Sequence, residues 1–124
     1  MKERKLTFRQ YMGNKGEDAA AKILKDKGFN ILRRNYRIHN VGEIDIIAEN
    51  GDDLHILEVR TRLNIGYYPD SAESVTDSKR KKVIKTAGFF VAEYNLYDKN
   101  LVFEVVMVTH DKKGNIKRID FIPF

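Results

Sequence analysis

The stretch that most constrains this chain is a pair of apolar runs, IDIIA and LHILEV, on either side of ENGDD. Asn50-Gly51 between two such runs is a strong short-range hairpin signal, because those residue types suit the left-handed backbone of tight hairpin turns. Two antiparallel strands are therefore expected, over about 43–48 and 54–62. Alternation of side chains puts Glu43, Asp45 and Ile47 on one face of the first strand, and Leu54, Ile56, Glu58, Arg60 and Arg62 on one face of the second. The opposite faces receive Ile44, Ile46 and Ala48, with Leu57 and Val59. Apolar residues on both faces mark strands covered from two sides, so the acids here are not an ordinary solvated face.

The remaining segments set this hairpin in a fold. From Phe8 to Lys27, Met12, Gly16, Ala20, Ile23 and Leu24 recur at helical spacing, and Gly28 is placed to end the helix. FNILRRNYRI, residues 29–38, reads as a basic strand. After a loop containing Gly66 and Pro69, Thr76-Asp77-Ser78 supplies helix-start chemistry. An apolar stripe of Val83, Ile84, Ala87, Phe90, Val91 and Tyr94 follows, with Lys79, Arg80, Lys81, Lys82 and Lys85 on the other face. LVFEVVMVTH and IKRIDFIPF form a second hairpin around DKKGN. The order is α-β-β-β-α-β-β. The connection through the second helix is long enough for a parallel crossover, whereas both hairpins are antiparallel. The expected class is α/β, with a mixed sheet and helices on both faces. At 124 residues and 42% apolar content, residues 1–124 are expected to form one domain.

Register decides what the acids can do. A two-residue loop at Asn50-Gly51 pairs 43 with 58, and a four-residue loop of 50–53 pairs 45 with 58; either keeps Asp45 and Glu58 on the same face. Like charges this close destabilise a sheet unless a positive group stands between them. Arg60 or Arg62 neutralising the pair is one reading. A hard-metal site is the other, since Mg²⁺ typically takes one or two protein carboxylates and leaves positions for water and phosphate. Glu17 borders the apolar stripe of the first helix, with Ala20, Ala21 and Leu24 at the following turns. It is either a third acid for the site or a first-half helix acid favoured by the helix dipole.

Charge bears on the partner. Lys and Arg total 23 against 18 Asp and Glu, a net +5, which favours a polyanion without requiring one. Absence of cysteine excludes disulfides, thiol catalysis and cysteine-based zinc sites. No apolar run approaches the ~18 residues of a membrane span, and MKERKLTFRQYMGNKGED lacks a signal-peptide core. A cytoplasmic protein without membrane contact is expected. His39, His55 and His110 lack metal-ligand spacing, and no glycine-rich phosphate loop occurs.

Three segments together, NKGEDAAAKILKDKGFNILRRNYR, GEIDIIAENGDDLHILEVRTR and ESVTDSKRKKVIKTA, resemble the YraN family of endonuclease-like proteins. That family belongs to the restriction-endonuclease-like PD-(D/E)xK superfamily, akin to archaeal Holliday junction resolvases. The resemblance covers nearly the whole chain and implies a three-layer restriction-endonuclease-like fold. It implies that Asp45 is a metal-binding acid, Glu58 the first acid of the E-x-K motif and Glu17 the helix glutamate completing the site. It further implies Glu43 as a secondary candidate, the Val59 backbone carbonyl as a metal ligand and Mg²⁺ or Mn²⁺ as cofactor. Lys79 matches a basic position facing nucleic acid. The chain departs from the motif at Arg60, so that E-x-K reads E-V-R. Guanidinium is planar and always protonated, whereas lysine is compact and can shift its pKa.

Two functions follow from these expectations. One is metal-dependent phosphodiester hydrolysis on structured or branched DNA, with Asp45, Glu58, Arg60 and Glu17 as the catalytic set. In it Arg33, Arg34, Arg37, Arg62, Lys79, Arg80 and Lys82 make sequence-independent phosphate contacts. The alternative is a nucleic-acid-binding module with the same fold and a weak or inactive site, for which Arg60 is the distinguishing residue. A homodimer is expected by analogy with the resolvases.

Overall fold

The computed structural model describes residues 5–67 and 75–124. Helix α1 spans Phe8–Asp26. It starts on a capping box: the Thr7 hydroxyl accepts the Gln10 N–H at 3.0 Å, and the Gln10 side chain accepts the Thr7 N–H at 2.9 Å. Such a cap contributes about 1 kcal/mol. Gly28 follows the helix at φ +90, a conformation that costs a residue without Cβ little. Strands β1 (Asn30–Ile38), β2 (Gly42–Asn50) and β3 (Asp53–Leu63) come next. Helix α2, Asp77–Tyr94, is capped by Thr76, and strands β4 (Asn100–His110) and β5 (Ile116–Pro123) complete the chain. The loop around Pro69, and Glu73 and Ser74 of the third family-like segment, lie outside the described residues.

Among the described residues the sheet has five strands in the order β1-β2-β3-β4-β5. Only β3 and β4 run parallel; the other neighbours are antiparallel. One buried cluster joins Ile44, Ile47, Leu54 and Ile56 to Val83, Ala87, Phe90 and Val91 of α2. A second joins Ile46, Ala48, Leu57, Val106 and Val108 to Ala20, Ala21 and Leu24 of α1. The two helices therefore cover opposite faces, and the near-continuous apolar runs of β2 to β4 are explained by burial from both sides. This α-β-β-β-α-β-β arrangement is consistent with a restriction-endonuclease-like fold. No helix among the described residues is long and apolar enough to cross a membrane.

Three local expectations change. The β2–β3 turn is Gly51-Asp52, with Asn50 opposite Asp53 and Gly51 at φ +59. Its register, Glu49 opposite Leu54, is that of the four-residue loop closed one pair further. Ile84 and Tyr94 are 50% and 48% exposed, because the buried stripe of α2 is narrower and uses Thr86 instead. Finally, alternation breaks in β2: Ile44 packs on the α2 side, where strict alternation would put it with Ile46 on the α1 side. The break falls between the pairs Tyr36–Ile44 and Arg34–Ile46, where Asn35 of β1 is left-handed at φ +53. Asp45 stands on that step.

Candidate functional site

The β2–β3 ladder is regular from the turn up to Ile46 opposite Leu57. Beyond it the Asp45 side chain takes over, with Oδ2 accepting the Val59 N–H at 2.7 Å. A carboxylate thus stands in for a strand neighbour, and this backbone donor keeps an acceptor as the strands part. Asp45 sits at the change of face, so acids of both helical sides act on it. Burial pushes its carboxyl up to about 6 against the lowering effect of the Val59 N–H, and the negative charges of Glu17, Glu58 and Glu43 add to the rise. Four acids therefore meet in one electrostatic neighbourhood, although Glu58 reaches it from β3 and Glu17 from α1.

Each of the other acids has a cationic or amide partner. Glu17 Oε1 accepts from Arg34 Nε at 3.0 Å and from Asn35 Nδ2 at 3.1 Å, while Arg34 Nη2 also donates to Asp18 at 2.6 Å. The left-handed Asn35, level with Asp45 in the β1–β2 register, thus also holds Glu17. Glu43 accepts from Arg37 at 3.2 Å. Glu58, its side chain only 13% exposed, meets Lys79 Nζ at 2.6 Å through Oε1 and Arg60 Nη2 at 3.5 Å through Oε2. Oε2 is buried and makes no hydrogen bond among the described residues.

The basic residues expected at nucleic acid divide into three groups. Lys79 and Arg34 are engaged with Glu58 and Glu17, and so belong to the acidic centre itself. Arg37 and Lys82 line a cavity of about 480 Å³ with His39, Gly42 and Glu43, beside the acids. Arg80 is near Asp77 at 3.4 Å, Arg62 Nε donates to Thr109 at 3.0 Å, and Arg33 lies over the Tyr36 ring at 5.3 Å. Lys81 and Lys85, which the sequence pattern places on one helix face with Lys79 and Lys82, extend the basic rim through a neighbouring cavity with Asn40 and Val41. His55 pairs with Glu104 at 2.7 Å, and His110 Nδ1 lies 2.8 Å from the Asp111 carbonyl.

Among the described residues no three acid or histidine side chains are already gathered as a metal-binding set. The donors nonetheless fit a hard cation. They are oxygens, two are held by adjacent strands, and one buried carboxylate oxygen of Glu58 lacks a hydrogen bond. Burial is the main cause of the raised Asp45 pKa, and the repulsion from Glu17, Glu58 and Glu43 that adds to it is what a bound cation would relieve.

The chain matches the model of a family described as Uncharacterised protein family UPF0102 over residues 16–122. It is similar to a UPF0102 protein of Persephonella marina, at 38% identity over 89% of this chain and 93% of the relative. A UPF0102 protein of Clostridioides difficile is 42% identical over 77% of this chain and 82% of its own length. One from Moorella thermoacetica is 36% identical over 92% and 93%.

Proposed function

The chain belongs to the uncharacterised protein family UPF0102, and we propose that it is a nuclease-like, nucleic-acid-binding protein that hydrolyses phosphodiesters in structured or branched DNA with Mg²⁺ or Mn²⁺. The observation that carries this reading is the Asp45 carboxyl, seated where β2 leaves β3 and pushed up to about 6 by burial and three neighbouring acids. A buried carboxylate with a shifted pKa beside other acids marks a functional-site candidate, and a bound cation would offset the repulsion that its neighbours contribute. In this reading Asp45 and Glu58 hold the cation, with the Val59 carbonyl and Glu17 completing its protein ligands. The cation would supply Lewis acidity that activates water and offsets charge on the phosphate.

The chain's own groups do the rest. The Val59 N–H fixes the rotamer of Asp45, and Asn35 with Arg34 fixes Glu17. Arg60, beside Glu58, places a permanent positive charge near the scissile phosphate. Arg37 and Lys82 at the neighbouring cavity, with Arg33, Arg62 and Arg80, contact flanking phosphates. These contacts read backbone and shape, not bases. The partner is therefore expected to be a DNA structure and not a DNA sequence.

The test is cleavage of branched, flapped and single-stranded substrates in Mg²⁺ or Mn²⁺ by wild type and Glu58→Gln. Cleavage by wild type with loss in the variant is expected; equal rates overturn the assignment. A second reading, binding without cleavage, is favoured by Arg60 and by the cationic partners already on Glu17 and Glu58. Salt-sensitive binding with no cleavage, followed by cleavage in Arg60→Lys, would establish that reading instead.

A further inference from the structure

Lys79 belongs to the first turn of α2, where its own N–H is tied to the Thr76 cap at 3.2 Å. From there its Nζ reaches across to Glu58 Oε1 at 2.6 Å, as short as the Arg34–Asp18 contact. The two partners differ in freedom. The Glu58 side chain is 13% exposed, while that of Lys79 is 48% exposed, on a flexible four-carbon stem. Arg60 approaches the other oxygen at 3.5 Å and does not hydrogen-bond it. Among the described residues Glu58 therefore has one tight cationic partner, and that partner can withdraw toward solvent without rearranging α2.

Resting on the metal-site reading above, we propose that Lys79 is a resident counter-ion of Glu58, which yields the carboxylate to an incoming divalent cation and then pairs with the substrate phosphate. With Oε1 held by the ammonium at 2.6 Å, Glu58 offers a cation only its buried Oε2, and coordination through Oε1 as well needs the ammonium released. Releasing it costs the ion pair, so the protein's apparent cation affinity is lower than its donor set would give. The released ammonium stays within one side-chain length of the site and supplies the compact, mobile charge that guanidinium at position 60 does not. The motif's missing lysine function is then delivered from a helix and not from the strand. When no cation is bound, the ammonium offsets the charge of Glu58.

The test is calorimetric titration of the intact protein with Mn²⁺ alone, comparing wild type, Asp45→Asn, Lys79→Met and Lys79→Arg, with cleavage at saturating Mn²⁺ as second readout. Lys79→Met keeps the apolar stem and removes the competitor, so its Mn²⁺ affinity is expected to rise about three- to fivefold, the value of a partly exposed ion pair. Its cleavage is expected to fall about tenfold or more, because the phosphate loses a charge partner. Lys79→Arg keeps the competitor and is expected to bind Mn²⁺ no tighter than wild type. A merely structural lysine would weaken binding and cleavage together. Mn²⁺ affinity that is unchanged or weaker in Lys79→Met overturns the proposal while leaving the site reading intact. Mn²⁺ uptake absent in wild type, or undiminished in Asp45→Asn, overturns the site reading and the proposal with it.

Discussion

Asp45 Oδ2 accepts the Val59 N–H at 2.7 Å, so an acid of one strand completes the backbone of the next at the point where the two strands part. That bond fixes the carboxylate in a half-buried position among three other acids. It also ties the acid to the residue directly after Glu58. The consequences reach stability, pH dependence and chemistry.

In metal-free buffer Asp45 should destabilise the fold at neutral pH. Its folded value, about 6, lies above the ordinary 3.8. Between those values the folded state holds more protons than the unfolded, so stability falls as pH rises through that window and stays lower above it. Asp45→Asn keeps an acceptor for Val59 and removes the charge. Thermal melts with chelator should show the variant more stable by about 1–2 kcal/mol at pH 7.5, after allowance for partial exposure, and no better at pH 4. A variant less stable than wild type at pH 7.5 would contradict this origin of the shift.

Gly16 sets the height of α1 over the sheet. A Cβ there would lie 2.9 Å from Thr61 Cγ2 and 3.4 Å from Val108 Cγ2. Gly16→Ala should destabilise by about 1–2 kcal/mol despite alanine's better helix propensity, and should displace Glu17. Adding Thr61→Ser removes the methyl at the shorter contact and should recover most of the loss. Denaturant titration of the single and double variants measures both; an equally unstable double variant would place the cost elsewhere.

Asn35 should tolerate glycine but not a β-branched residue. It stands at φ +53, and its amide donates to Glu17 at 3.1 Å. Asn35→Gly should keep stability within about 1 kcal/mol while freeing Glu17, whereas Asn35→Val should cost about 2 kcal/mol in backbone strain. Melting temperatures of the two variants decide it. Equal losses would mean that the left-handed turn is not what Asn35 supplies.

Binding to branched DNA should weaken steeply with salt. Lys82 lines the cavity beside Glu43 with Arg37. Lys82→Ala should lower affinity uniformly across sequences and reduce the slope of log affinity against log salt by about 1. Fluorescence anisotropy over a salt series gives the slope; one that is near zero in wild type would remove phosphate contacts from the account.

Much of this was legible because it is local. Asn50-Gly51 between two apolar runs announced the central hairpin, and Thr76 announced α2, since turn and cap chemistry are written within a few residues. The Gly51-Asp52 turn has the same parity as both candidate loops, so Ile47 and Ile56 pair on the expected face. What escaped was the step at Asp45. It depends on a left-handed Asn35 in another strand, and asparagine there carries no mark separating it from a strand-edge residue. The Lys79–Glu58 contact escaped for a similar reason, since it joins a helix to a strand through tertiary packing. Ile84 and Tyr94 fit the apolar period of α2 but not its buried width, which periodicity does not measure.

The measurement closest to the central claim is single-turnover cleavage of a four-way DNA junction in Mn²⁺ by wild type and Asp45→Asn. The account predicts that wild type nicks the junction and that the variant is slower by about a hundredfold while binding it equally well. Equal cleavage rates for the two proteins would contradict it.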